Sequence, residues 1–289
     1  MLRNFFASRM RWFFAFFVSL SFYYMLGPLC VNLFDLLTNY SSSLVYAIIR
    51  INTYHLCLAL GIFISLKMLL FIPFGQAISD TGRFRTKMFL AGLLPTFILY
   101  CLYLFIEMKI NPSQYAAMEG KGINRLLILP LLLILTPIQT GAEEITYRLF
   151  PLRIAFDKLW CKEKKTKLAA SFVLALLFTF IHLRNREVAL SHQVIFTLSY
   201  YFIFGFGATF ITLDTGGLEA AFGLHLANNL YTTIICNYVH STLPSIPLFI
   251  KADSTVSITD LITLILTLSL VLLITRVINS HKSDIIRRY

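Results

Sequence analysis

The sequence predicts an all-α, polytopic membrane protein, and composition is the first observation behind that prediction. Of its 289 residues, 57% are hydrophobic and only 13% are charged, whereas soluble domains carry about 25% charged residues. The apolar residues fall in long runs, and a bilayer-spanning helix needs about 20 such residues. No segment between the runs is long enough for a soluble domain, so residues 1–289 are expected to form a single membrane domain.

Eight apolar runs predict about eight transmembrane helices. The first follows a basic N-terminus, as in a signal peptide, but it lacks a small-residue cleavage site and is therefore expected to be a retained span. The second is too long for one straight span. The runs cover residues 12–31, 44–72, 88–106, 124–150, 168–182, 191–213, 217–238 and 258–278.

Lysine and arginine residues predict the orientation of these helices. If the N-terminus is cytoplasmic, sixteen of them fall on the cytoplasmic side, in the N-terminal segment, 83–87, 153–167 and the C-terminal tail. Seven fall on the opposite side: Arg50, Lys109, Lys121, Arg125, Arg184, Arg186 and Lys251. Since cytoplasmic loops carry the excess of positive charge, both termini are expected to be cytoplasmic. This topology accounts for the net charge of +11, and no nucleic-acid partner is expected.

The fourth run contains two adjacent carboxylates, Glu143 and Glu144. A single ionised side chain at the bilayer centre costs about 3 kcal/mol on insertion scales, and two neighbouring ones also repel each other. Such a pair requires a wet cavity, a counter-ion or a shared proton, and each of these is typical of a functional site.

The position of Arg148 predicts that the two carboxylates have different partners. Glu144 and Arg148 are four residues apart, so they share a helix face and can form an ion pair. Glu143 lies about 100° further round the helix, which leaves it able to point elsewhere.

Two further pairs share helix faces in later runs: Phe178 with His182, and His225 with Asn229. If these faces converge on Glu143, the combined groups can hold and activate a water, with the carboxylate as general base. The histidines would bind a metal or orient the water, and the amide would stabilise an oxyanion. Taken singly, each of these polar residues more often forms a hydrogen bond between helices. The remaining histidines show no companion pattern and are interpreted as structural or surface residues: His55, His192, His240 and His281.

Together the three patterns resemble the signature of the CPBP family of intramembrane proteases, which includes type II CAAX prenyl endopeptidases and the Abi proteins linked to bacteriocin self-immunity. The patterns are Glu143-Glu144-x-x-x-Arg148, Phe178-x-x-x-His182 and His225-x-x-x-Asn229, and the resemblance covers residues 125–240. One departure is Leu149, because family members often carry glycine directly after the motif arginine.

The resemblance implies an intramembrane endopeptidase with Glu143 as the water-activating base. It implies that His182 and His225, with Glu143, bind a divalent metal such as zinc or orient the water directly. Asn229 would support the oxyanion, while Glu144 and Arg148 would steer Glu143 or meet the substrate. The expected substrate is a membrane-associated peptide, lipid-linked tail or prenylated protein, cleaved near the cytoplasmic face.

Two other functions remain open at this stage. One is a non-catalytic immunity or scaffold protein of the same fold, and the other is a proton-coupled transporter that uses the carboxylate pair as a relay. A transporter would more often show internal repeats, and none is visible in the sequence. In each case the expected location is a bacterial inner membrane, in contact with lipid.

The predicted depths of the motif residues do not match. Glu143 lies toward the cytoplasmic end of the fourth run, whereas His182 lies at the far end of a fifth run of 15 apolar residues. With a rise of 1.5 Å per residue, either the fifth helix begins earlier or residues 183–190 fold back into the protein.

Overall fold

The computed structural model describes residues 2–38, 43–118, 125–156, 158–253 and 255–286, which fold mostly as helices. The prediction of an all-α, multi-pass membrane protein is confirmed. The α-helices within these ranges are α1 (Leu2–Ser21), α2 (Gly27–Thr38), α3 (Leu44–Ile64), α4 (Phe74–Ile78), α5 (Thr86–Ile110), α6 (Arg125–Glu144), α7 (Phe150–Ala155), α8 (Lys164–His182), α9 (Arg186–Ala189), α10 (Val194–Thr215), α11 (Glu219–Leu230) and α12 (Ile258–Ile286).

Four π-helical segments extend or join these helices, and three of them border the cavity described below. The segments are Phe22–Leu26, Ser65–Leu70, Ile145–Leu149 and Tyr231–Ile235. A π-helical turn widens the helix and changes the direction of the side chains that follow, and such turns are frequent at functional sites. The third segment begins directly after the carboxylate pair.

Within the described residues, seven helices are long and apolar enough to cross a membrane. They match seven of the eight expected runs, with edges shifted by several residues. The run over 217–238 differs, because it forms the short helix α11, then a π-helical turn and a strand. Nine of the twelve residues of α11 are buried, so this helix is enclosed by the others.

Glycines bring α11 against α5. A Cβ atom at Gly92 would clash with the carbonyl oxygen of Ala220, and one at Gly223 would clash with the carbonyl oxygen of Phe89. Both carbonyl oxygens belong to the backbone and cannot move aside as a flexible side chain could. Only small residues at these positions therefore permit α5 and α11 to pack so closely. The helix that carries His225 is therefore seated by direct backbone contact.

A small sheet, which the sequence patterns did not predict, lies beyond the helix ends. Strand β3 (Phe249–Lys251) pairs antiparallel with β1 (Tyr115–Ala117) and parallel with β2 (Cys236–Tyr238), in the order β1-β3-β2. It joins the loop after α5 to the loop between α11 and α12.

The predicted cytoplasmic segments meet at one end of the bundle. Arg153 donates to Asp80 at 3.1 Å, which joins α7 to the loop before α5. Asp214, at the end of α10, accepts from Arg276 at 2.9 Å and pairs with Lys167. The grouping agrees with the predicted loop assignment, while the direction of this end relative to the membrane stays a prediction. Lys121, Arg287 and Arg288 lie outside the described residues.

Leu149, the departure from the family pattern, lies in the largest hydrophobic cluster. Its side chain is fully buried, and the same cluster contains Leu58, Phe150 and Leu213. Burying a leucine side chain contributes about 1.5–3 kcal/mol. The bulky residue is therefore accommodated as a core residue.

Candidate active site

The carboxylate of Glu143 faces a cavity, and its two oxygens have different surroundings. Oε1 accepts from Gln139 Nε2 at 3.2 Å and lies 3.0 Å from His55 Nε2. Oε2 lies 3.7 Å from His225 Nε2. One oxygen is thus held in place, while the other points toward a second imidazole with room for a small molecule to reach it.

The ring orientation of His55 determines what joins it to Glu143. His55 Nδ1 lies 3.1 Å from the carbonyl oxygen of Ile51, which can only accept, so Nδ1 carries a hydrogen. Nε2 then meets Glu143 Oε1 across 3.0 Å, a contact that is favourable only if one of the two carries a proton. A proton held between Nε2 and Oε1 would meet one of the requirements derived from the sequence for carboxylates at this depth.

Glu144 points away from Glu143 and forms the predicted ion pair with Arg148. Both side chains are almost fully buried. The guanidinium also donates through Nε to Thr209 at 3.2 Å. Since a buried carboxylate is tolerated when it is paired and hydrogen-bonded, Arg148 neutralises the second charge of the motif.

Glu144 also orients His225. Its Oε1 lies 2.8 Å from His225 Nδ1, and a carboxylate paired with arginine acts only as an acceptor. Nδ1 therefore donates, which leaves Nε2 of the neutral ring with its lone pair directed at the cavity. The three residues Glu144, Arg148 and His225 form one buried unit behind Glu143.

His182 lies on the wall of the same cavity, at the end of α8. Its Nδ1 lies 2.6 Å from the carbonyl oxygen of Phe178, so that nitrogen is again the donor. The ring stacks on Tyr201 with centroids 4.2 Å apart, and the Phe178 ring separates it from His225. The predicted face shared by Phe178 and His182 is confirmed, with the phenyl ring as a spacer between two imidazoles.

The depth of His182 follows from the segment after α8. Helix α8 begins at Lys164, earlier than predicted. Residues 183–190, which follow the end of α8, fold back into the protein. The short helix α9 lies among them and buries Glu187 and Val188. Glu187 accepts from the Tyr201 hydroxyl at 2.6 Å. Both expected solutions are therefore present, an earlier start of α8 and a fold-back of residues 183–190.

Asn229 lines the cavity one turn beyond His225. Its Nδ2 donates to Thr140 Oγ1 at 3.0 Å, and its Oδ1 accepts from Asn228 Nδ2 at 3.2 Å. A carboxamide nitrogen has two hydrogens, so one N–H remains for a ligand oxygen. Glu143, His182, His225 and Asn229 all line this cavity, which has a volume of about 710 Å³.

The structure adds residues that the sequence patterns missed. His55 was interpreted as structural, yet it contacts Glu143 directly. It lies 88 positions before its partner, and nothing local to α3 indicates that contact. The contact of Gln139 with Glu143 could have been predicted, since Gln139 precedes Glu143 by four residues on the same helix face.

A metal centre is the part of the prediction that the geometry supports least. Two imidazoles and a carboxylate are ligands that zinc binds. However, the described residues include no group of three histidine, cysteine, aspartate or glutamate side chains that could hold a metal ion. His225 and Glu143 are close enough to share one, but His182 does not complete the group. We therefore derive no step through a metal.

Comparison with known proteins bears on the family resemblance. The family model described as type II CAAX prenyl endopeptidase Rce1-like matches residues 123–231. The predicted family resemblance is confirmed. The Rce1-like region contains the motif residues of α6, α8 and α11, and leaves His55 on α3 outside.

The similarity to a curated relative covers a longer stretch of the chain than the family model does. The uncharacterized protein YyaK of Bacillus subtilis (strain 168) is 29% identical over 187 residues, which cover 65% of this chain. The aligned part spans 60% of the length of YyaK. No solved structure matches the chain significantly.

Proposed function

We propose that this protein is an intramembrane endopeptidase in which Glu143 activates a water. The proposal rests on one observation, the different surroundings of the two carboxylate oxygens of Glu143. Oε1 is engaged by His55 and Gln139, and Oε2 faces His225 across 3.7 Å in the cavity. A general base must lie within hydrogen-bond reach of the proton that it abstracts, and Oε2 is the oxygen that can meet such a proton while His55 and Gln139 hold the other.

Glu143 Oε2 and His225 Nε2 are hydrogen-bond acceptors that face each other, and they can hold a water between them. A water that donates one hydrogen to Glu143 Oε2 and the other to His225 Nε2 presents its lone pairs to the cavity. Attack on a peptide carbonyl forms the new C–O bond as the proton passes to Glu143. The C–N bond then breaks, and Glu143 returns that proton to the leaving amine.

Asn229 would stabilise the charge that develops on the carbonyl oxygen. Its remaining N–H is available because the other donates to Thr140, which also fixes the plane of the amide. Donors held in place before the reaction need no reorganisation as the charge forms, and one such donor contributes about 3 kcal/mol or more. We assign His182 to orienting the water or substrate from the opposite wall.

The Rce1-like match supports a protease of the CAAX type, and the apolar helices place the protein within a membrane in contact with lipid. We propose a peptide or prenylated-protein substrate and, given the Bacillus relative, a bacterial plasma membrane. The alternative of a non-catalytic immunity or scaffold protein requires neither the held carboxylate nor the oriented imidazoles.

The proposal is tested by comparing cells that express wild-type protein, Glu143→Gln or Glu163→Gln. Glu163 is an exposed carboxylate at the opposite end of the molecule, so its substitution is the matched control. Mass spectrometry of protein N-termini should show cleavage products that disappear only with Glu143→Gln, while their precursors accumulate. Loss of a general base lowers the rate by about 10²- to 10⁴-fold. Unchanged cleavage in a correctly inserted Glu143→Gln protein would remove Glu143 from the role of base.

A further inference from the structure

The cavity extends to the end of the bundle opposite the basic segments. Its outer wall is built from α9, the sheet and the start of α12, through Tyr115, Glu187, Thr242, Lys251 and Asp260. Among the described residues, none from 73–87, 153–167 or 214–219 lines it. Those are the segments that carry or contact the predicted cytoplasmic cations.

Helix α8 connects the two ends and gives their separation. It has 19 residues, which corresponds to about 28 Å along its axis and so to about one bilayer core. Lys164 is its first residue and lies at the basic end. Arg184 lies two residues beyond its last residue, His182, and lines the cavity. These two exposed cations therefore lie on opposite sides of the membrane.

The distribution of charge then determines which side the cavity faces. Basic loops stay in the cytoplasm, and the basic segments are joined at one end through Asp80 and Asp214. We propose that the substrate reaches Glu143 from the extracytoplasmic side, in contrast to the cytoplasmic-face cleavage expected from the sequence. The part of this proposal that concerns a substrate rests on the proposed peptidase function, whereas the orientation of the cavity does not.

The cavity lining indicates the chemistry of that substrate. Polar side chains from several elements line it, among them Thr242, Tyr238, Tyr200, Asn228 and Glu143. A long isoprenoid chain has no donor or acceptor for the groups that keep hydrogen-bonding capacity here, Glu143 Oε2 and the second N–H of Asn229, and covering such a group costs about 1–3 kcal/mol. An extended polypeptide carries a donor and an acceptor on every residue and can satisfy them.

One wall also faces the bilayer. Tyr24 and Phe180 line the cavity and are 64% and 69% exposed. The Tyr24 ring carries a hydroxyl and suits the interface between lipid and water, while the Phe180 ring is wholly apolar. A polypeptide segment that leaves the outer half of the membrane can therefore pass between α8 and the π-helical segment after α1. The substrate class that fits is an extracytoplasmic, membrane-adjacent peptide segment.

The orientation is tested by cysteine labelling in spheroplasts with a membrane-impermeant maleimide. The matched pair is Arg184→Cys and Lys164→Cys, both replacing an exposed cation at one end of α8. We expect Arg184→Cys to be labelled before permeabilisation and Lys164→Cys to gain label only after it, relative to the wild-type cysteines. The reverse pattern, equal labelling of both variants before permeabilisation, or labelling of neither until permeabilisation would overturn the proposal.

The substrate side is tested by mapping the cleavage sites lost in Glu143→Gln cells onto the topology of their precursors. Sites in extracytoplasmic or outer-leaflet segments support the proposal, and sites in cytoplasmic segments contradict it while leaving the peptidase function intact. If no cleavage depends on Glu143, the proposed function fails, and the labelling result still decides where the cavity opens.

Discussion

Replacing His55 with phenylalanine isolates the contact that sequence patterns did not indicate. The His55 ring packs edge-on against Tyr23 with centroids 5.6 Å apart, and phenylalanine preserves that ring contact. The substitution removes the nitrogen that lies 3.0 Å from Glu143 Oε1. Gln139, at 3.2 Å, is then the remaining described side chain that holds this oxygen.

The expected magnitude follows from the contact that is lost. A hydrogen bond to a charged group contributes about 1.5–3 kcal/mol, and about 1.4 kcal/mol is a factor of ten in rate. The rate constant kcat should therefore fall by about 10- to 150-fold, toward the lower value because Gln139 remains. KM should stay near the wild-type value, since His55 acts through Glu143 and not on the substrate.

The assay is steady-state cleavage of the substrate identified by N-terminal proteomics, with purified protein in liposomes. His55→Gln returns an N–H donor at similar reach and should recover part of kcat, and His192→Phe, at an exposed histidine, should leave it unchanged. An unaltered kcat for His55→Phe would refute a role in positioning Glu143. Equal losses of kcat in His55→Phe and His55→Gln, together with a lower thermal midpoint, would also refute that role.

Three further predictions concern stability and metal dependence. Arg148→Ala leaves the buried Glu144 carboxylate unpaired and should destabilise the protein by about 3–5 kcal/mol; an unchanged thermal midpoint would contradict the buried ion pair. Gly223→Ala forces a Cβ against the Phe89 carbonyl and should cost about 1–3 kcal/mol, whereas Gly141→Ala meets only an ordinary 3.6 Å side-chain contact and should unfold like wild type. A chelator followed by zinc should leave cleavage unchanged if oriented water suffices, and loss with zinc-specific recovery would establish the metal centre that the motif resemblance implies.

The local sequence pattern was sufficient to predict a contact when both of its residues lie on one helix. The apolar runs predicted the membrane helices, because a bilayer requires long stretches without unsatisfied polar groups. The four-residue spacing predicted the ion pair of Glu144 with Arg148, and that pair is present. The same reasoning separated Glu143 from Glu144, since adjacent residues point about 100° apart on a helix.

What the sequence alone determined is which residues share a helix face, and therefore which polar groups could act together. Only the tertiary structure decided which faces meet. It brings His55 to Glu143 and Thr209 to Arg148 across helices distant in sequence, and it places the cavity mouth opposite the basic loops. Helical periodicity specifies a direction around each axis, whereas the position of one helix against another depends on packing, such as the glycine contact between α5 and α11.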